Sequence, residues 1–374
     1  MDEPARRPLR VLHVVFSLDA GGMENGIVNV SAALSRREFE PRVCCLGRGG
    51  AFVSRFPVPS DVTVLGKKEG FSPRTIGLLA RHIRETRPDV IHTHNLGPLL
   101  YTVLARPHAP IVHGEHAELT PGELAIHRRL MRRVLYTRVR GVHTVSHSLR
   151  ESLVRQGFPA SKIEVIVNGV DTTRFRPGPK ADARRETGLP PDAAIIGLMG
   201  RFGAYKRHAD LIAAFERLAP GNPSLALLFV GGGGPLEEAT RARVAASPFS
   251  SRIHLAGLQA NPRPWYQAMD LLIIPSVNEG LSNALLEAMA CGIPALGHFA
   301  CGNGDVIKDS ANGFLRDIST VDRLVDKIGT ILAAPENLRR LGREARRTAE
   351  GQFAFAGMVE GYRRLYASAA GRLT

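Results

Sequence analysis

Two glutamates, Glu279 and Glu287, stand with seven residues between them in the segment PSVNEGLSNALLEAMACGIP (275–294). Ser282 is placed to cap a helix, and Gly292 with Pro294 closes it about three turns later. The free N–H groups of the first turn, together with the helix dipole, favour an anion at that tip. Asn283 and Glu287 are four apart and share one helical face beside the anion. Glu279 comes from the loop on the other side of the tip. A negative ligand with hydroxyls at both ends suits such a place, since phosphates answer the dipole and each carboxylate accepts from a diol. A nucleotide sugar, with ribose, diphosphate and hexose in order, is a molecule of this kind.

Other loops offer complementary groups. In GRFGAYKRH (200–208), Arg201 and Lys206 stand five apart across small residues at a helix start. A guanidinium fork with a lysine point charge clamps a diphosphate well, although a solvated basic loop reads the same way in isolation. SLDAGGMEN (17–25) carries Gly21 and Gly22, able to take positive φ and to bring backbone N–H groups near an anion. A glycine pair more often makes only a turn. The four consecutive glycines of VGGGGPLEE (230–238) predict a close backbone approach.

These segments share a position: each follows a short apolar run. The runs LRVLHVVF, VIHTH, APIVHGEH and VHTVS in the first half alternate with helix-period segments, and SLRESL offers a capping box from Ser148 to Glu151. AAIIGLMG, LALLFVGGG, RIHLAG, LLIIP and IPALG repeat the grammar in the second half. Near-continuous apolar strands belong in parallel sheets covered on both faces, and ligands collect at the carboxyl ends of such strands. The fold class expected is α/β, two doubly wound parallel-sheet domains in tandem. The linker is placed at 168–192, a Pro-, Gly- and charge-rich stretch without clear period. The domains expected are 1–172, 173–352 and a terminal amphipathic helical segment, 353–374.

A chain of 374 residues has room for two cores. No stretch approaches the ~20 apolar residues of a membrane span, and the amino-terminus does not read as a signal peptide. Four cysteines without zinc spacing or disulfide framework fit a reducing cytosol, so a cytoplasmic protein is expected. The net charge of +14 points to anionic partners. One cluster, ELAIHRRLMRRVLYTRVRG (123–141), sets six arginines against one glutamate. As a helix it places Leu130, Met131, Val134 and Leu135 on one side, and Arg128, Arg129, Arg132 and Arg133 on another. That pattern reads either as an interfacial helix on anionic lipid, which places the protein on the inner face of the cytoplasmic membrane, or as an ordinary solvated face.

EGLSNALLE, EAMACGIP and GRFGAYK together closely resemble the retaining glycosyltransferases of the GT-B fold, family 4. RPDVIHTHN (87–95), IVNGVDTTRFRP (166–177) and ANGFL (311–315) fit in order and spacing, so the resemblance covers nearly the whole chain. The bacterial members associated with exopolysaccharide and exosortase systems are particularly similar in their GG.ENG and HGEH segments. The resemblance implies two Rossmann-like domains facing a cleft, the first for the acceptor, the second for the nucleotide sugar, and a final helix crossing back to the first. It implies Arg201 and Lys206 on the diphosphate, Glu287 on the ribose hydroxyls and Glu279 on the transferred sugar. Backbone at Gly280, Leu281, Ser282 and Asn283 would meet phosphate and sugar, and Gly21 and Gly22 the diphosphate from the opposite domain. Leu258 in AGLQAN would touch the base. His116, ending VHGEH, matches the histidine these enzymes place near the reacting sugar, and His94 and Asn95 are acceptor-side candidates. Neither histidine is assigned as a general base, because retaining transfer is pictured as front-face, with the leaving phosphate taking the acceptor proton. Stabilisation of the departing diphosphate is then the main catalytic term. With no Asp-x-Asp motif, neither metal nor other cofactor is expected.

The sequence departs from the family pattern at Arg207, where glycine is common, and at Cys301 and Asp305 in FACGNGDVI. The donor is expected to be a UDP- or GDP-sugar and the acceptor a glycan or lipid-linked molecule. A GT-B sugar-nucleotide epimerase is the rival enzyme reading, which the glutamate pair opposes. A nucleic-acid-binding protein, suggested by the basic charge, has no binding motif and little aromatic interleaving, so no nucleic acid is expected.

Overall fold

The computed structural model describes residues 7–299 and 302–372. The chain divides into two compact units. One runs to Val167 and takes back the residues from Gly357 onward; the other is Asn168–Ala356.

The first unit holds a seven-stranded parallel sheet. Its strands are β1 (Leu9–Val15), β2 (Phe39–Cys45), β3 (Val62–Val64), β4 (Val90–His94), β5 (Ile111–Glu115), β6 (Gly141–Thr144) and β7 (Ile163–Val165). Their spatial order is β3-β2-β1-β4-β5-β6-β7. The second unit holds six: β8 (Ala194–Met199), β9 (Leu225–Val230), β10 (Ile253–Leu255), β11 (Leu271–Ile274), β12 (Ala295–Gly297) and β13 (Phe314–Leu315). Their order is β10-β9-β8-β11-β12-β13. Each order reverses once, between β1 and β4 and between β8 and β11. At such a switch point the loops after the two central strands diverge to opposite faces and leave a crevice at their carboxyl ends.

The central strands are buried along nearly their whole length, β9 at every residue, because helices cover both faces, whereas the edge strands β3 and β13 have no buried residue. In the second unit Leu211, Ile212 and Phe215 of the helix His208–Leu218 pack with Leu227, Phe229 and Ile273 in one core. The final helix, Phe355–Ala369, buries Met358, Tyr362, Leu365 and Tyr366, and its two tyrosines meet His143 and His92 of the first sheet edge-on.

Three local readings need correction. The segment 168–192 is not without structure: Lys180–Thr187 is a helix, begun after Pro179 and closed by Gly188 at φ 68°. Its charged face hid the period, and Arg184 ties it within the second unit to Asp270, just before β11. The helix after β6 is capped by Ser146, whose hydroxyl accepts from the Leu149 N–H, so the Ser148 box does not form. The helix of the glutamate segment, Asn283–Ala290, is two turns rather than three, with Gly292 at φ 75° after its end.

Candidate active site

The β8/β11 crevice gathers the second unit's chemistry. After β8 the chain runs through Gly200 and Arg201, makes a single turn at Ala204–Lys206, and enters the helix His208–Leu218. After β11 it runs through Pro275 to Glu279 and enters the helix Asn283–Ala290, with Ser282 at the N-cap position but its hydroxyl not bonded to that turn. Lys206 and Glu279, 73 residues apart, form an ion pair through Nζ and Oε1, both side chains being largely buried. Among the described residues no carboxylate pairs with the half-buried Arg201.

Arg207 sits in the left-handed region at φ 57°. A side chain costs about 1–2 kcal/mol there, which explains why glycine suits the position. Here the guanidinium compensates: Nε donates to Asp210 at 2.8 Å, and Nη1 and Nη2 donate to the Ile318 and Ser319 carbonyls at 2.7 and 2.8 Å. Arg207 is thereby tied to the segment beyond β13 and is not a free cation.

Glu287 is half-buried on the helix face, four residues after Asn283. The buried Tyr266, from the short helix Arg263–Ala268, donates its hydroxyl to Glu287 Oε2 at 2.6 Å. Burial first, and the adjacent Glu287 carboxylate next, push the Tyr266 phenol well above its ordinary range. Tyr266 therefore stays a donor at any working pH. No motif pointed to Tyr266; its only sequence signal is an aromatic in the helix preceding a buried strand.

The glycine run does make close approaches, but to its own unit. Gly231, Gly233 and Gly234 have φ of 142°, 73° and 103°. A side chain at Gly231 would collide with the Gly200 carbonyl, and one at Gly234 with the Phe202 carbonyl. A Cβ at Gly232 would lie 3.2 Å from that of Leu258, whose side chain is 57% exposed. The run thus lets the β8, β9 and β10 loops share one wall. Gly280 is buried under Gly302, where a Cβ would strike its carbonyl. Leu281 is also buried, its carbonyl accepting from Asn168 Nδ2 at 3.3 Å. Asp305 lies in the short helix Asn303–Val306, and Cys301 lies outside the described residues.

At the β1/β4 switch point, Gly21 and Gly22 open the helix Gly22–Ala33, but neither takes a positive φ; Gly21 is extended at −158°. A side chain on Gly21 would meet the Glu24 carboxylate. Asn95, at the end of β4, is exposed and held at φ 66°, a strained conformation of the kind that clusters at ligand sites. His116, after β5, is half-buried, and its Nε2 lies 2.9 Å from His94 Nδ1. His94 itself is 1% exposed, with its other nitrogen on His13. It stands behind His116, which corrects its reading as a group that touches the acceptor.

Ring nitrogens of His13, His92 and His94 lie within 4.8 Å of one another. Their nitrogens are hydrogen-bonded to one another, to His116 and His143 or to the Tyr366 hydroxyl, His13 Nε2 excepted. On the other face of the same sheet Glu115 accepts from Arg132 Nε at 2.8 Å, Tyr136 Oη at 2.7 Å and His113 Nε2 at 3.1 Å. These bonds and the Arg132 charge hold Glu115 ionised well below the usual carboxylate range despite its burial.

The basic helix spans Ile126–Thr137, and its faces differ from the expected ones. Arg132 is 1% exposed and points inward to Glu115, and Leu135 packs in the core. The outward apolar stripe is Ile126, Leu130 and Val134, 67%, 53% and 63% exposed.

Two Rossmann-like sheets, with paired charges at a switch point, define a GT-B protein. Residues 20–174 match the family model Glycosyltransferase Family 4, and residues 179–348 match Glycosyl transferases group 1. The chain belongs to these glycosyltransferases, family 4 in its first half and group 1 in its second. It is 27% identical to a D-inositol 3-phosphate glycosyltransferase of Segniliparus rotundus, over 94% of this chain and 85% of that one. It is 26% identical to the 2-deoxystreptamine N-acetyl-D-glucosaminyltransferase of Streptomyces fradiae, over 86% and 84%. In fold it superposes on HepE of Anabaena, solved with UDP and glucose, at TM-score 0.84 and 20% identity, covering 96% of this chain and all of that one. The sucrose-phosphate synthase of Thermosynechococcus elongatus superposes at TM-score 0.79 and 22% identity, over 97% and 100%. No helix among the described residues is long and apolar enough to cross a membrane.

Proposed function

We propose that this chain transfers a hexose from a UDP- or GDP-sugar, with retention and without a metal, to a hydroxyl of a glycan or lipid-linked acceptor. The observation that carries the reading is the meeting of Lys206 with Glu279 at the β8/β11 switch point, to which the same loops bring Arg201, paired with no carboxylate among the described residues, and the Tyr266-braced Glu287. Glu287 accepts from the ribose diol. Arg201 and Lys206 take the diphosphate together with the first-turn N–H groups of the helix Asn283–Ala290. Lys206, already aligned by Glu279, then joins diphosphate to sugar, and Glu279 accepts from the hexose.

In the reaction the bond from the anomeric carbon to the phosphate oxygen breaks, and its electron pair leaves with the nucleoside diphosphate. The acceptor oxygen bonds to the same face of the carbon, and its proton passes to the departing phosphate. Fixed cationic and N–H groups around that phosphate, aligned before reaction, lower the barrier. The UDP named for HepE supports a uridine donor, and the relatives' names add inositol phosphate and aminoglycoside polyols to the acceptors to be screened.

Thermal melting with UDP, GDP, ADP and CDP, with and without EDTA, tests the donor site. At 100 times its dissociation constant a ligand adds ~2.7 kcal/mol of stability, a shift of a few degrees. One nucleotide should shift the melt, EDTA should leave the shift intact, and Glu287→Ala should abolish it. No shift with any nucleotide removes the assignment of Arg201, Lys206 and Glu287. An α-configured product from an α-linked donor, read by NMR coupling, tests retention.

A further inference from the structure

The first sheet carries five histidines on one face. His13 of β1 is in register with His92 of β4, and His94 follows two residues on. His94 aligns across Gly114 of β5 with His143 of β6. Gly114 is the gap that admits the rings, for a Cβ there would lie 2.7 Å from Nε2 of both His116 and His143. Across this gap His92 Nε2 meets His143 Nε2 at 3.0 Å, and Tyr366 bonds His92 Nδ1 at 2.9 Å.

Three of the rings make a line toward the strand ends. His13 Nδ1 lies 3.1 Å from His94 Nε2, and His94 Nδ1 lies 2.9 Å from His116 Nε2. His13 and His94 are buried and His116 is half-open. A neutral imidazole has one N–H and one lone pair, so a line of three has only two consistent states. In one, every ring donates outward and His116 carries its proton on Nδ1. In the other, every ring donates inward and His116 Nδ1 is a bare lone pair. The inward state puts the His13 proton on Nε2, which is buried and has no hydrogen-bond partner among the described residues. The outward state leaves a bare lone pair there instead, and of the two an orphaned buried N–H is the rarer in folded proteins.

We propose that His13 and His94 are positioning residues that hold His116 as the Nδ1–H tautomer, so that at the carboxyl ends of the first unit's strands it offers a hydrogen-bond donor and not a base. Burial lowers His13 to about 3 and His116 to about 4 and holds His94 well below its ordinary value, so the line is neutral at neutral pH. The part of that donor in transfer rests on the proposed function; the tautomer does not.

The test is long-range proton–nitrogen NMR of the full chain labelled with 15N-histidine, the His116 signals being identified by their loss in His116→Gln. The expected spectrum has His116 Nδ1 protonated and Nε2 bare. A protonated Nε2 overturns the proposal, and this reading needs only the native protein. In His94→Phe, His116 should relax to the mixed tautomers of a free imidazole; an unchanged spectrum also overturns it. Turnover by folded His94→Phe should fall about two- to tenfold in kcat, the worth of one hydrogen bond, with the donor KM little moved. A released tautomer with full kcat removes the positioning role. Absent nucleotide binding in the native protein would instead remove the proposed function and leave the tautomer result standing.

Discussion

At the residue scale, Tyr266 does for Glu287 what Glu279 does for Lys206: a partner supplied by the fold fixes the reactive group before any ligand arrives. The hydroxyl donates to one carboxylate oxygen at 2.6 Å. Removing it deletes one hydrogen bond to a charged group, a loss of about 1.5–3 kcal/mol. Part of this is recovered from water because Glu287 is half-buried. Tyr266→Phe should therefore lower Tm by a few degrees and raise the donor KM about tenfold with kcat held. Ribose binding is far from the reacting bond and contributes equally to ground and transition states. Steady-state kinetics check this, and an unchanged KM would show that Glu287 needs no brace.

At the element scale, the histidine face makes the first unit acid-sensitive. Burial lowers His13 to about 3 and His116 to about 4, and burial with neighbouring rings holds His92, His94 and His143 well below the usual 6.5. Below pH 6.5 the unfolded chain binds protons that the folded one refuses, so stability is full above that pH and is lost as pH falls toward 4. Each such ring contributes ~1.4 kcal/mol per pH unit in that window. Glu115 is a carboxylate whose pKa is also depressed, so its contribution is present above the ordinary carboxylate range and is lost only at lower pH. Urea midpoints should fall steeply between pH 6.5 and 5, and a flat profile would contradict neutral burial. The sequence could not show this face. Its apolar runs betrayed β1, β4, β5 and β6 of the first sheet but not the interior β2, whose FEPRVCC is broken by charge and proline, and the glutamate segment and GRFGAYK betrayed the second unit's crevice by residue type. The histidines come from β1, β4, β6 and the loop after β5, and only the register β1-β4-β5-β6 brings them together. Tyr266 was hidden for the same reason, and the helix Lys180–Thr187 because charge, not a hydrophobic stripe, marks it.

At the scale of the whole molecule, the question is where a chain of net charge +14 works. The helix Ile126–Thr137 shows how the charge and an apolar surface combine. Ile126, Leu130 and Val134, four apart in turn, form an outward stripe, while Arg128, Arg133 and Arg138 are exposed around it. Arg132 turns inward to Glu115 and fastens the helix to the sheet, so the stripe is presented rigidly. An anionic bilayer suits both features, offering ~1 kcal/mol per arginine near its surface and about 1.5–3 kcal/mol for each large apolar side chain it takes up. Flotation should recover the protein with vesicles containing phosphatidylglycerol and not with phosphatidylcholine alone, and raised salt should weaken the recovery. Leu130→Ser with Val134→Ser should abolish it while leaving nucleotide-induced melting shifts unchanged, because those residues lie in the first unit and the donor groups in the second. Equal recovery on neutral vesicles, or full recovery of the double variant, would make this helix face an ordinary solvated surface and turn the acceptor search toward soluble polyols.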